Sequence, residues 1–542
     1  MILLQNFIMK KTKKILAVLL AVLMLFSVSS SALAADEAQE TASSLSFIYK
    51  KALSFIGKAI DEILCEGASH IPDPVKWSEQ TDEGFMEGTK TFLDSPAENA
   101  VFSLGYDSRS ILTSDVVGNM YVGGTINLSK KLATEIIDDL KVRTVALSDG
   151  SSRGITVLAE VDAYGLSLPD VREIRLRLAD LISEKNINSI TVSVLHQHSA
   201  VDTLGMNGDI FKMVLFNPAS SFFGKAVENG KNQKYMENLY ETCAESIEAA
   251  VSSMTEGKLY YGTADQSEYL EDKRAPYVND ANFNRFRFVP SNNTKETWLV
   301  STEVHCVGNG AAGTAISGDY PYYAEQVINQ KANANVFFYM GAQQGTTLNT
   351  DENTVENYSE EMSRIDSMKG FGKSIGNALV AITDEKEVEP LLNIKYKEVL
   401  FPVKNGILYL GAKVGLFEAL VEKDGKNLYV KTEIGYMELG NDLAFAITPG
   451  ELAAEIAYGG CLQSDSWTGE AWNYKSLQDI VSENCGGRKL MVIGLSNDQI
   501  GYIIPDNNFM PQIAEESQSL ELVSLGSETA SILVKEFEAL VK

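Results

Sequence analysis

Imidazoles suit metal binding and proton transfer near neutral pH, and this 542-residue chain has only four of them. Two stand together at the end of an apolar run, in Val192-Ser193-Val194-Leu195-His196-Gln197-His198-Ser199. Side chains on a strand alternate faces, so His196 and His198 are expected to point the same way from the end of a buried strand. The bare pattern also fits two satisfied histidines, one buried and one at the surface. Other strand ends favour a metal. The apolar run 298–304 ends in His305, and the run 443–447 leads through Thr448-Pro449-Gly450 to Glu451, expected in the first turn of a helix. The run 490–493 leads on to Tyr502. Ligand sites form where strand ends gather at one edge of an α/β sheet. Zinc takes nitrogen and oxygen donors in a tetrahedral set and, at a catalytic site, leaves one position for water. His70, in a polar surface stretch, reads as structural.

These donors need strands to carry them and helices to hold the strands. Apolar runs at 100–105, 142–147, 155–161, 190–195, 258–262 and 335–340 join the three already named as strands. Helical spacing marks 169–181, 235–254, 320–329, 360–382 and 527–540, and 394–403 opens a strand-rich section. The alternation predicts an α/β protein with a mixed sheet flanked by helices and a metal site at the C-terminal edge of the strands. Leu45, Ile48, Leu53, Ile56, Ile60 and Ile63 predict an extra amphipathic N-terminal helix. It either packs on the main body or touches lipid. Residues 36–44, small and polar, read as a flexible lead-in, and 67–95 as surface.

The N-terminus reads as a secretory signal over residues 1–34. Lys10 to Lys14 form its basic region, 15–28 its apolar core, and Ala32-Leu33-Ala34 a small-x-small cleavage site. The expectation is a cut after Ala34 and a secreted or extracytoplasmic protein without a permanent anchor, since no other stretch is long and apolar enough to span a bilayer. A linker and helical segment at 35–95 then precedes a hydrolase domain at 96–542. The formal charge of −27 becomes more negative once four signal lysines are removed, which excludes nucleic acid as a partner. Five cysteines without a C-x-x-C pair exclude a thiolate zinc knuckle. Cys461 and Cys485 are the pair that a disulfide could join.

Four motifs in order give the chain a family resemblance. His196-Gln197-His198-Ser199, then His305 with Ser317-Gly318-Asp319, then Pro449-Gly450-Glu451-Leu452, then Gly494-Leu495-Ser496-Asn497 with Tyr502 resemble the neutral, or alkaline non-lysosomal, ceramidases. These are zinc amidases, and the matches run from about residue 100 to about 505. The resemblance implies that His196, His305, Glu451 and Tyr502 ligate Zn2+, with His198 as the catalytic group beside the metal's water. Two imidazoles, a carboxylate and a phenol leave positive charge on the ion, which lowers the pKa of bound water toward neutrality. His198 would donate a proton to the leaving amine or steady the oxyanion; its other role is a hydrogen bond that orients a ligand. The substrate implied is an amphipathic N-acyl lipid, ceramide-like, or a small amide, with peripheral membrane contact. Oligomeric state is not readable.

The chain departs from the family in several places. Ala200-Val201-Asp202 replaces a glycine-rich continuation, and Gly341-Ala342-Gln343-Gln344 lacks the family's aspartate. Gln499 replaces a tyrosine, Ile503-Ile504-Pro505 follows Tyr502, and the C-terminal immunoglobulin-like domain is expected to be missing. Two alternatives therefore stand beside the ceramide reading. One is a zinc hydrolase acting on a non-sphingolipid amide or ester. The other is a catalytically inactive homologue that holds a ligand in the cleft.

Overall fold

The structure is a computed structural model in which residues 38–124, 132–310, 313–517 and 520–542 are described. The expected signal peptide and its cleavage site lie outside the described residues. Strand-forming stretches make two main sheets rather than one, beside three two-stranded ones among the described residues. The larger contains β1 (Phe102–Ser110), β2 (Lys141–Ser148), β3 (Ile155–Val161), β4 (Ile187–Val194), β5 (Thr255–Asp265), β6 (Asn282–Pro290), β7 (Glu296–Thr302), β8 (Ala334–Met340) and β9 (Glu385–Val388). Its order is β8-β7-β6-β5-β1-β2-β3-β4, with β9 also paired to β5. The pairs β3–β4 and β7–β8 are parallel. The second sheet contains β10 (Leu392–Pro402), β11 (Leu420–Asp424), β12 (Asn427–Leu439), β13 (Leu443–Ile447) and β14 (Lys489–Ile493). Its order is β10-β12-β13-β14, β11 joining β12, and β13 and β14 run parallel.

Period-2 alternation explains how the sheets stack. Phe102, Leu104, Val145, Leu147, Phe286 and Phe288 leave one face of the large sheet and meet Ile394, Met437, Phe445 and Met491 of the second in one buried cluster. The other large-sheet face, with Val142, Ala146, Val157 and Val300, is covered by helices including Gln233–Ser252, Asp319–Ala332 and Arg364–Val380. The outer face of the second sheet packs on helices Gly406–Lys413, Leu477–Asn484 and Thr529–Val541. The layers are therefore helix, sheet, sheet, helix. The expected α/β class with flanking helices holds, and the single mixed sheet becomes a stacked pair.

Two local expectations need correction, for the N-terminal lead-in and for Glu451. The N-terminal helix runs Ala38–Ala68, so most of the expected lead-in is helical. It packs on Gly406–Lys413: Asp61 accepts from the Gly406 backbone N–H (2.8 Å), and Trp467 Nε1 donates to Ser54 (2.9 Å). Cys461 and Cys485 are unbonded, as are the other three cysteines. Glu451 does not begin a helix. With Leu452 it forms a short strand parallel to Tyr502–Ile503, and the helix starts later, at Ala454.

Candidate metal centre

Each donor is placed by a backbone that turns at a strand end. Strand β4 stops at Val194, and His196 takes a left-handed conformation (φ 58°), so strand alternation is not what aims the two histidines at one centre. The turn is held from both sides: Gln197 N–H donates to Ala163 (3.2 Å) and His198 N–H to Cys306 (3.0 Å). Gln197 also donates from Nε2 to Asp162 (2.6 Å), which shares the buried Arg143 guanidinium with Glu160 and Glu325. Ser199 and Ser317 exchange bonds across the same edge (3.0 and 3.1 Å), so the Ser317-Gly318-Asp319 segment braces the turn.

His305 follows β7 in the same way. Two residues before it, Glu303 accepts from the Asp280 and Ala342 backbone N–H groups (2.7 and 3.0 Å) and the Tyr458 hydroxyl (2.9 Å). Tyr458 ends the helix that follows Glu451, so Glu303 ties the His305 strand to the Glu451 turn. Glu451 and Tyr502 face each other because their two-residue strands pair in register. The segment after β14 crosses between sheets: Gly494 N–H donates to Met340, Leu495 N–H to Gly450 and Asn497 N–H to Val192.

The five predicted residues meet. The His196, His198 and His305 rings form a triangle with centroids 4.7, 4.8 and 4.9 Å apart, and the ligating atoms of all three lie within 4.8 Å of one another. His198 Nε2 and His305 Nε2 are 2.8 Å apart. Glu451 reaches His196 Nε2 at 3.4 Å and His305 Nε2 at 3.8 Å, and it hydrogen-bonds Tyr502 and Gln499 through their side chains. All three histidines and Glu451 are buried, His198 and His305 being slightly more open than His196.

Local chemistry sets the protonation states. His196 Nδ1 lies 2.5 Å from the Tyr164 carbonyl, which accepts its proton and leaves Nε2 as a lone pair aimed at Glu451. The Tyr164 ring stacks on His196 at 4.5 Å. Burial, reinforced by the neighbouring imidazoles, holds His196 and His198 well below the usual histidine range, and burial brings His305 to about 4. All three are neutral at pH 7, the form a metal requires. Burial pushes Glu451 up to about 8 against the hydrogen bonds from Tyr502 and Gln499. His196 Nε2, His198 Nδ1 and Glu451 Oε2 are buried without a hydrogen-bond partner. Buried polar atoms are normally satisfied, so a cluster of unpaired donor atoms fits a cation between them.

Sequence reasoning missed the supports. Tyr164 and Asp162 follow the end of β3, and the same strand-end rule that found His196 would have found them. Gln499, read as a departure, stands beside Glu451 and 3.5 Å from His196 Nδ1.

No family model and no curated protein sequence matches the chain. Solved structures do. Neutral ceramidase from Pseudomonas aeruginosa superposes with a TM-score of 0.62 at 15% identity, over 82% of this chain and 74% of that one. A ceramidase complexed with C2 gives a TM-score of 0.59 at 14% identity, over 82% and 75%. The chain has the neutral ceramidase fold.

Proposed function

We propose that this protein is a zinc-dependent amidase that hydrolyses the N-acyl bond of a ceramide-like lipid. One observation carries the reading: on a ceramidase fold, donors from four remote segments converge, and two of them, His196 Nε2 and Glu451 Oε2, are buried without a hydrogen-bond partner. His196, His305, Glu451 and Tyr502 would hold the ion. When bound, zinc supplies Lewis-acid polarisation of a carbonyl and lowers the pKa of water toward neutrality.

The chain's residues do the remainder. Tyr164 fixes the His196 tautomer through its carbonyl, so Nε2 stays available as a ligand. Neutral His198 takes a proton from the attacking water and returns it to the amine nitrogen as the C–N bond breaks. The Gly124 backbone lies against His198 and holds that ring's backbone in place. Residues 1–34 are proposed to direct export and be removed, which N-terminal sequencing of the released protein would test.

The direct test is metal analysis of purified protein combined with hydrolysis of N-acyl sphingosines. Bound zinc lost on His196→Ala or Glu451→Ala, with turnover of N-acyl sphingosine, is the expected result. A metal-free native protein would overturn the metal. Turnover of simple N-acyl amino acids or esters alone would move the substrate away from ceramide. Metal bound without turnover of any amide would favour the ligand-holding homologue.

A further inference from the structure

The helix Ile210–Phe222 has its polarity turned inside out. Its inward stripe is Met213, Asn217 and Ser221, all buried, and two of the three are polar. Asn217 donates to the Glu228 and Val414 carbonyls (2.7 and 2.8 Å), so the polar stripe is what fastens the helix to the body. The outward face is apolar: Leu215 is 70% exposed, Phe216 61%, Phe222 71% and the following Phe223 72%, with Val214 beside them. A surface helix of a water-soluble protein normally shows the opposite arrangement, and clustered exposed apolar groups mark an interaction surface.

Charge identifies the occupant. From 210 to 227 there is no Asp or Glu and there are two lysines, in a chain with 73 acidic residues and a formal charge of −27. A second copy of so acidic a chain would be repelled. A lipid surface accepts the aromatic face while its phosphates meet Lys225; Lys212 is paired with Glu228 (2.9 Å) at the edge of the face. Among the described residues no helix is long and apolar enough to cross a membrane. The helix also adjoins the metal centre. Tyr121 contacts the Gly208–Met213 segment, Val122 bridges Val201, and Gly124 meets the His198 backbone. We propose that the outward face of Ile210–Phe222, with Phe223, docks the protein on a phospholipid bilayer next to the metal centre.

This deepens the N-acyl lipid reading, but its test uses neither metal nor turnover, so the two can fail separately. The full chain carrying Phe222→Trp is mixed with phosphatidylcholine vesicles, with acyl chains brominated in a parallel sample. The added indole should shift its emission to the blue and be quenched by bromine. In the same background, Leu215→Ser with Phe223→Ser should weaken vesicle partition at least about tenfold, since two large apolar side chains leave the lipid. Both positions are exposed, so the melting temperature should not move. An indole that stays unquenched, or partition unchanged by the double substitution, overturns the proposal. So does a wild-type dimer that the same substitutions dissociate, which would make this face an interface between copies.

Discussion

The stability of this protein should fall as pH rises from about 4 to about 8, because several buried carboxyls, Glu303, Glu451 and Asp498 among them, are pushed up by burial. Asp498→Asn should remove its own share of that fall. Asp498 sits under the segment that carries Gln499 and Tyr502. Its Oδ1 accepts from the Leu168 and Gln499 backbone N–H groups (3.1 and 2.8 Å), while Oδ2 is buried without a partner. Burial pushes the carboxyl up to about 7 against the nearby Thr432 hydroxyl and those backbone hydrogen bonds. In the unfolded chain it ionises near its ordinary value of about 4. Between these values the unfolded state loses its proton and the folded state keeps it. The stability contribution is therefore complete below about pH 4 and lost as pH rises through about 7. Three pH units correspond to a ceiling of ~4 kcal/mol, and relaxation of the site lowers the expected effect to ~2 kcal/mol. The amide keeps the Oδ1 acceptor and offers Nδ2 to Thr432, whose hydroxyl also lacks a partner. Urea unfolding at pH 5 and pH 8 measures the outcome. Both proteins should lose stability between the two, the variant by ~2 kcal/mol less than wild type. Parallel curves for the two proteins would refute the argument that an unpaired buried carboxyl is responsible.

Other predictions concern the metal centre. His196→Ala and Glu451→Ala should each abolish bound zinc, read by mass spectrometry of the native protein, because each removes a donor that is unpaired without the ion. His198→Gln should keep the zinc and reduce amide turnover by roughly 10² to 10⁴; loss of zinc instead would make His198 a ligand. Gly124→Ala places a Cβ against the His198 backbone at a φ of 113°, where side chains are strained. It should destabilise the protein by about 1–3 kcal/mol in a denaturant titration and slow turnover with zinc retained.

How much was legible in the sequence depended on the range of the interactions. Strands β3 and β13 match their predicted limits because both are buried on two faces; β13 reads as an unbroken apolar run and β3 as one interrupted only by Thr156 and Glu160. The second sheet was only glimpsed. Its long strands β10 and β12 carry Lys395, Lys397, Glu398, Lys431 and Glu433 among their apolar residues, and their pairing is set by contacts no local window contains. Glu433 is buried against Arg175 and Arg172, partners more than 250 residues away. The Ile210–Phe222 helix escaped because Pro218 interrupts it and its apolar face points outward. Glu451 was misplaced for a physical reason as well. Pro-Gly-Glu before Leu-Ala-Ala-Glu reads as a helix start, yet the Glu451 and Ala453 N–H groups donate to Gly501 and Ile503 instead.

The position of the donors follows from the stacking of the sheets. His196 and His305 leave the ends of β4 and β7 in the large sheet, while Glu451 and Tyr502 follow β13 and β14 in the second. The parallel pairs β3–β4 and β7–β8 stand at opposite ends of the large sheet's order, and the sheet curls until β8 meets β3 and β4, which brings the ends of β4 and β7 together. Where these ends meet those of the second sheet, donors far apart in sequence come within a few ångströms without any one loop having to be long. The bonds from Gly494, Leu495 and Asn497 cross this seam, and Glu303 fixes the same seam from the other strand. A cation held by His196 and Glu451 would therefore join the two sheets as well as serve the chemistry. That explains why the supports beneath the cluster, Asp162, Glu303 and Asn497, are themselves buried or bridging polar groups rather than apolar filler: the centre must be held to the register of both sheets at once.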